Sequence, residues 1–319
     1  MFIRAAIEDV ARPNKNTVFG DLFAGTGVVS RSYKRDVKKI IANDAEYYSY
    51  VLLRNYIGNN VAVNREHYIA ELNSISGKSG FISEEYSEYG KSNRKYFTKN
   101  NGEKIDSIRS EIELLYASKT INDDDYYFLL ASLLESADRV ANTASVYGAY
   151  LKKFKKTALA EMILKPAVYS VTKNKHDVYQ SDANELIKNI EGDVLYLDPP
   201  YNSREYGANY HILNTIARYD NFTPKGKTGL REYNHSQYCQ RKNASASLEQ
   251  LVKDAKFKYI FLSYNNEGLI TFEEIKSILS KYGRYDLEKR DYQRFKADNK
   301  RVHKANRTLE YLHILEKDG

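Results

Sequence analysis

Short apolar runs that end in an acid alternate with helix-like segments near both ends of the chain, and a stretch of different character lies between. Phe2-Ile3-Arg4-Ala5-Ala6-Ile7-Glu8-Asp9-Val10 breaks its apolar positions with charge and predicts an amphipathic helix. Thr17-Val18-Phe19-Gly20-Asp21-Leu22-Phe23 reads as a strand running into the turn Ala24-Gly25-Thr26-Gly27, with a helix after it. Ile40-Ile41-Ala42-Asn43-Asp44 is a second short strand ending in an acid. The rhythm resumes over residues 176–264, where Val194-Leu195-Tyr196-Leu197 and Tyr259-Ile260-Phe261-Leu262-Ser263-Tyr264 are continuous enough for buried strands. Strands alternating with helices predict an α/β fold, a mostly parallel sheet with helices on both faces.

Residues 61–170 interrupt this pattern. Ser74 to Asn101 is rich in Ser, Gly, Tyr, Asn and Lys without a sustained period, and is expected to be loop. Asn122-Asp123-Asp124-Asp125 precedes the apolar run Tyr126 to Leu134. Three aspartates can suggest a metal, but acids at a helix N-terminus satisfy free N–H groups and suit the helix dipole, so we read a cap. The region is expected to be a mainly helical insertion (61–170) carried on an α/β domain made of residues 1–60 and 171–319. At the end of the chain, Asp291 to Phe295 and Thr308 to Leu315 predict a strand pair. The connection between them is basic, with Lys296, Lys300, Arg301, Lys304 and Arg307.

Composition narrows the class. No apolar run approaches the ~20 residues needed to span a bilayer. The N-terminal segment lacks a signal peptide's apolar core and small-residue cleavage site. The expected location is the cytoplasm. The lone Cys239 excludes a disulfide framework and a multi-cysteine zinc site. A net charge of +7 suits a polyanionic partner, though many basic proteins bind no nucleic acid. Twenty-nine tyrosines and no tryptophan offer faces for base stacking, but AT-rich coding explains the same excess.

The candidate chemistry begins at Asp21-Leu22-Phe23-Ala24-Gly25-Thr26-Gly27, where a strand opens into a helix. Glycines there allow a tight turn and close approach of a ligand to the backbone. Ser30 stands where a dinucleotide fingerprint needs its third glycine. The preceding acid would repel a pyrophosphate and suit an ammonium group such as that of a methionine moiety. Asp44 lies at the distance expected for an acceptor of ribose hydroxyls, which dinucleotide and S-adenosylmethionine sites share. Asp182 either accepts from a cofactor adenine amine or caps a helix.

Asp198-Pro199-Pro200-Tyr201, directly after the strand Val194 to Leu197, is the most specific segment. Prolines lack N–H donors, so this turn presents acceptors. The Asp198 carboxylate and the Pro199 carbonyl can each accept one hydrogen of a planar –NH2 group, while Tyr201 stacks on the attached ring. Holding both hydrogens helps pyramidalise the nitrogen and aim its lone pair at an electrophilic methyl group. Orientation and electrostatics then carry the rate, without general base, covalent intermediate or metal.

Together, Asp-Leu-Phe-Ala-Gly-Thr-Gly, Asn43-Asp44 and Asp198-Pro199-Pro200-Tyr201 resemble the Dam-like, alpha-class N6-adenine DNA methyltransferases of type II restriction–modification systems. The resemblance is nearest to the branch paired with type IIS endonucleases and covers nearly the whole chain. Asn43 to Tyr50, Val140 to Lys152 and Leu262 to Gly268 also carry it. It implies a Rossmann-like methyltransferase fold with target recognition in the insertion, double-stranded DNA and a cognate restriction endonuclease as partners, and S-adenosylmethionine as cofactor. It also implies that Asp21, Phe23, Gly25, Gly27, Asp44 and Asp182 bind the cofactor, and that Asp198, Pro199, Pro200 and Tyr201 bind a flipped-out adenine. Family members usually begin with a Tyr/Gly/Ser/Lys-containing segment before the first helix. This chain begins almost inside that helix, which implies either an upstream start or a pocket without that segment.

Other readings are weaker. Gly226-Lys227-Thr228 echoes a P-loop, but Asn221 stands where its first glycine belongs. Lys225, Lys227 and Arg231 read instead as a loop on DNA phosphates or as a solvated charged loop. Lys152, Lys153, Lys155 and Lys156, after a helix-like segment, and Arg301 and Lys304 are further phosphate-binding candidates, with a solvated face as the alternative. His211 is expected to be a packed helix residue. Cys239 lacks the preceding proline of a C5-cytosine methyltransferase nucleophile. An N4-cytosine methyltransferase, an RNA-amine methyltransferase and a catalytically degenerate nucleic-acid-binding protein remain alternatives.

Overall fold

A computed structural model describes residues 2–62, 65–293 and 307–318. In chain order the elements begin with α1 (Phe2–Val10), β1 (Val18–Asp21), α2 (Val28–Ser32), β2 (Lys39–Asn43) and α3 (Tyr47–Leu53). Then follow α4 (Glu66–Ser74), α5 (Phe81–Tyr86), α6 (Lys99–Ala117), α7 (Asp123–Arg139), β3 (Asp177–Tyr179), α8 (Ala183–Leu186) and β4 (Glu191–Leu197). The last are α9 (Tyr206–Asn209), α10 (His211–Arg218), α11 (Ala244–Asp254), β5 (Lys256–Asn265), α12 (Phe272–Leu279), β6 (Gly283–Gln293) and β7 (Arg307–Lys317).

The chain divides into two compact units. Met1–Ala45, Thr172–Glu205 and His235–Gly319 form the first; Glu46–Val171 and Tyr206–Asn234 form the second. The second therefore contains residues 61–170 together with 46–60 and 206–234. Among the described residues no helix is long and apolar enough to cross a membrane.

The first unit is built on one seven-stranded sheet of order β3-β2-β1-β4-β5-β7-β6. All pairings are parallel except those of β7, which runs antiparallel to β5 and β6. One face carries Ile41, Leu195, Leu197, Ile260 and Leu262 in a single apolar cluster with Leu186 of α8, Leu248 and Leu251 of α11, and Ile275 and Leu279 of α12. On the other face Phe19 stacks on Tyr33, just after α2, at 4.8 Å. Helix α1 packs on α2, burying Ile7, and its Arg4 pairs with Asp36 at 2.8 Å. The alternating pattern predicted this mixed α/β architecture with helices on both faces.

The second unit is helical around Ile105, Ile108, Leu129, Leu130, Leu133, Ile212 and Ile216. The three aspartates fill the first turn of α7, and one of them, Asp125, completes its cap with Asn122. Asn122 accepts from the Asp125 N–H at 2.9 Å, and the Asp125 carboxylate accepts from Asn122 N–H in return.

Three local expectations are corrected. Ser74 to Asn101 is not simply loop: it contains α5 and the start of α6, and Ile82, Tyr86, Tyr96 and Phe97 are fully buried. The cap that makes α5 possible is distant in sequence, since Asp106 of α6 accepts the N–H groups of Ile82 and Ser83 at 2.8 Å each. The helix-like segment before the lysine cluster is irregular. There the buried Asn142 side chain replaces a helix's own bonds. It donates to Lys95 O and Leu151 O and accepts from Lys155 N–H. Strand β6 begins at Gly283, well before Asp291.

Candidate active site

Strand β1 leads outward through β2 to β3, while β4 leads through β5 the other way. The switch point of the sheet thus lies between β1 and β4. Helices leave in opposite directions there, which opens a crevice beyond the carboxyl ends of the strands. Asp21 ends β1 opposite Tyr196 of β4, and Asp198 follows β4 directly.

The turn after β1 requires its glycines. Gly25 and Gly27 have φ of +54° and +71°, a region that side chains disfavour. Beside Gly25 a Cβ would meet nothing within 4 Å, so this backbone borders open space. The Gly25 N–H donates to Asp44 Oδ2 at 2.8 Å. Phe23 is half-buried, edge-on to Tyr238 at 5.0 Å.

Asp21 is 1% exposed. Its Oδ1 is buried without a hydrogen-bond partner, and the Ser30 hydroxyl, which donates to Gly27 O at 3.4 Å, lies near enough to favour the charged form. Desolvation pushes this carboxyl up to about 7, and the nearby charges of Asp198 and Asp44 push it the same way. A buried acceptor in this state is incomplete, and a cationic donor would complete it.

Asp198 is reached by solvent, yet protein surrounds it closely enough that desolvation is the largest influence on it. Both hold for a group on the floor of a concavity. Its pKa is raised, by desolvation and then by Glu310 of β7, while the nearby Tyr196 phenol opposes the rise. Pro199 is buried and Pro200 half-buried. Tyr201 is 36% exposed, edge-on to Tyr264 at 6.4 Å, and its carbonyl accepts from Leu269 N–H at 2.8 Å. Tyr264 packs so closely over Gly268 that a Cβ there would lie 2.1 Å from its ring. The Leu262 to Gly268 segment is thus a support for Tyr201.

Asp182 is the N-cap of α8, its Oδ1 accepting from Asn184 N–H at 2.8 Å and Glu185 N–H at 3.1 Å. Asn43 joins this turn to the glycine turn. Its amide donates to Leu22 O at 3.0 Å and Ser181 O at 3.1 Å, and accepts from Ser181 N–H at 2.9 Å. Sequence reading took Asn43 only as part of a motif and Ser30 only as a missing glycine, and gave Tyr196 and Glu310 no part in the site. Tyr196 was available from strand alternation, two residues before Asp198. Glu310 is adjacent only through antiparallel pairing, with Asn265 and Arg290 opposite it.

The proposed phosphate contacts are unequal. Lys152, Lys153, Lys156 and Lys227 are exposed. Lys155 donates to Thr143 O at 2.9 Å, and Lys225 pairs with Glu232 at 3.1 Å. Arg231 makes a two-pronged pair with Asp220, at 2.9 and 2.7 Å, over the Phe222 ring. Arg301 and Lys304 lie outside the described residues. His211 is buried in α10 with Nε2 at 3.1 Å from Tyr147 O, and desolvation pulls it down to about 4. The buried Cys239 thiol is pushed up to about 12, chiefly by desolvation, the opposite of an activated nucleophile.

A family model described as D12 class N6 adenine-specific DNA methyltransferase matches residues 2–278. Type II methyltransferase M.NlaIII of Neisseria lactamica is 56% identical over 303 residues, covering 94% of this chain and 91% of that protein. Type II methyltransferase M.CviAII of Paramecium bursaria Chlorella virus 1 is 40% identical, over 93% of this chain and 89% of that protein. Type II methyltransferase M.FokI of Planomicrobium okeanokoites is 37% identical over 99% of this chain, which spans only 51% of that longer protein. With a switch-point crevice that joins a glycine turn to Asp-Pro-Pro-Tyr, and with these matches along its length, the chain belongs to the D12 class of N6 adenine-specific DNA methyltransferases.

Proposed function

We propose that this enzyme uses S-adenosylmethionine to methylate N6 of an adenine flipped out of duplex DNA, at one recognition sequence, and so protects host DNA from a cognate restriction endonuclease in the cytoplasm. The observation that carries this reading is the pair of acids at the switch point. Asp21 keeps a buried, unpartnered oxygen beside the open backbone of Gly25, and Asp198 stands at the end of the neighbouring strand.

The residues present fit that cofactor. Asp21 Oδ1 would accept from the methionine ammonium, Gly25 and Gly27 would let the ligand lie against the backbone, and Asp44 would accept from ribose hydroxyls. Phe23 would flank the adenine. Asp182, already a cap through Oδ1, would turn toward the adenine amine. When bound, the cofactor supplies an electrophilic methyl group on a sulfonium that departs with the bonding electron pair.

The chain's own contribution is orientation. Flipping brings the base out of the stack so that its amine can reach a pocket. Asp198 and the Pro199 carbonyl each accept a hydrogen bond from one amine hydrogen, Pro200 fixes the turn, and Tyr201 stacks on the ring. As the N–C bond forms the nitrogen becomes cationic, and Asp198 stabilises that charge until one proton passes to the water that reaches this carboxylate. Target recognition is assigned to residues 61–170, with Lys152, Lys153, Lys155, Lys156, Lys225, Lys227, Arg301 and Lys304 on DNA phosphates, and Arg231 held instead by Asp220.

Asp198→Ala tests the reading. Methyl transfer should fall ~100-fold or more, with cofactor affinity by calorimetry largely kept. Retention of more than half the wild-type rate would remove Asp198 from the chemistry.

A further inference from the structure

Two short loops of the second unit are each closed at the base. Residues 88–96 return where Phe97 N–H donates to Tyr86 O at 3.0 Å and Glu88 N–H to Phe97 O at 3.4 Å. Gly226 to Gly229 turn between Lys225 and Leu230, whose backbones exchange bonds of 2.9 and 2.8 Å. Asn93, Gly226 and Gly229 have φ of +46°, +69° and +72°. Glycine adopts this region freely and asparagine tolerates it, so both turns are built from the residues their backbones require.

One side chain joins the two loops. Arg94, 7% exposed, donates to Glu85 Oε2 at 2.8 Å and Glu85 O at 3.1 Å, and its other amino group donates to Gly226 O at 3.3 Å. Tyr86, fully buried, donates to Gly229 O at 2.7 Å. Gly229 packs so tightly here that a Cβ would lie 2.8 Å from the Tyr86 ring and 2.9 Å from Arg94 Nε. Beyond this buried support, Asn93 and Lys227 are exposed and Thr228 is half-buried. Tyr89 is 76% exposed, with Lys99 Nζ 4.8 Å from its ring centroid. Glu88 keeps Oε2 buried without a hydrogen-bond partner among the described residues.

We propose that these two loops, fixed to each other through Arg94, read base edges in the DNA recognition sequence. The turn Gly226 to Gly229 then belongs to the reader, although it lies outside residues 61–170. This rests on the DNA substrate and on the recognition role given to that insertion above. Base pairs are told apart by donor and acceptor positions, so a reader must hold its side chains in one fixed pattern. A merely solvated loop has no use for a buried guanidinium beneath it; two loops that must keep a common register do. The side chains divide by chemistry. Lys225 and Lys227 are point charges that suit phosphates and fix position on any sequence. Asn93 offers a donor and an acceptor together, as an adenine edge requires, and Thr228 serves in either role. The incomplete Glu88 acceptor suits a cytosine amino group. Tyr89 offers a face for stacking. Arg94 is covered and touches no base, so it is a positioning residue.

The test compares Asn93→Gly, Thr228→Ala, Arg94→Lys and Lys227→Ala with wild type in the full chain. Each methylates unmethylated genomic DNA with S-adenosylmethionine for a limited time, and every N6-methyladenine is mapped by sequencing. Melting temperature and cofactor affinity are measured in parallel. Asn93→Gly keeps the left-handed turn and removes only the side chain. It and Thr228→Ala should each raise methylation of sites with one altered base pair roughly 10-fold relative to the wild-type sequence, the worth of one base contact. Arg94→Lys keeps the charge but loses the fork that reaches both Glu85 and Gly226. It should relax the positions that both of those variants relax. Lys227→Ala should slow all sites alike. Cofactor affinity should stay within about twofold throughout. A structural role for Arg94 alone would lower the melting temperature and leave the set of methylated sequences unchanged. If neither Asn93→Gly nor Thr228→Ala alters that set, the reading role is overturned. If only Asn93→Gly does, the Gly226 to Gly229 turn is removed from the reader. If wild type methylates no adenine in this DNA, the functional reading itself fails, and this role falls with it. If Arg94→Lys does not fold, the two loop variants decide.

Discussion

The Asp44 carboxylate accepts the Gly25 backbone N–H at 2.8 Å, so the end of one strand holds the left-handed turn that ends its neighbour. Asp44 is therefore a clamp on the turn as well as the proposed ribose acceptor. Asp44→Ala should weaken S-adenosylmethionine binding by about 1.5–3 kcal/mol, the worth of a charged hydrogen bond. Calorimetry giving an unchanged dissociation constant would exclude the ribose role.

Asn43 makes the same point one residue earlier. It is 1% exposed and spends its side chain on Leu22 and Ser181. Asn43→Ala leaves buried backbone groups unpaired, at roughly 1–3 kcal/mol each. Denaturant unfolding should show that loss of stability, and the cofactor KM should rise while kcat changes little. A stability equal to wild type would mean the turns hold each other without this amide.

Asp21 should give the ligand-free protein a recognisable pH dependence. Its carboxyl is raised to about 7 in the folded state, mainly by desolvation, whereas an unfolded chain loses that proton near pH 4. The folded state thus binds more protons between those values, and stability falls as pH rises through that window. Asp198 acts in the same direction. Thermal unfolding from about pH 5 to 7.5 should therefore decline less steeply in Asp21→Asn than in wild type. Affinity for the cationic cofactor should strengthen over the upper part of this range, as Asp21 ionises, and not do so in the variant. Parallel unfolding curves would show that Asp21 is already charged at pH 5.

The basic residues of the second unit should separate by geometry. Lys152, Lys153 and Lys156 are exposed, whereas Arg231 is occupied by Asp220 and Phe222. Each exposed lysine replaced by alanine should lower the salt slope of DNA binding by about one unit if it meets a phosphate. Arg231→Ala should instead lower the melting temperature, because it leaves Asp220 unpaired. A salt slope that changes with Arg231 and not with the lysines would reverse this division.

Local order was legible wherever short-range physics decides it. The strands around Phe19, Ile41, Leu195 and Ile260 declare themselves as apolar runs, the glycines as turn formers, and Asn122 to Asp125 as a cap. Asp198-Pro199-Pro200-Tyr201 stands out because two prolines strip the turn of donors whatever surrounds it. Helix α5 was missed because its cap, Asp106, lies more than twenty residues away. The Asn142 segment was misread because its hydrogen bonds go to Lys95, Leu151 and Lys155 instead of along a helix.

What the sequence by itself determined was the class of fold and the place of the turns that end its strands, since hydrophobic period and proline or glycine chemistry act over a few residues. What only the tertiary structure decided was the electrostatic state of the site. Asp21, Asp198 and Glu310 are far apart along the chain, and nothing local raises their pKa. They become a crowded, partly desolvated set of acids only when β1, β4 and β7 enter one sheet and leave their ends at one crevice. Burial and proximity are properties of the assembled sheet, and they govern which of these carboxyls is charged and which oxygen is left without a partner.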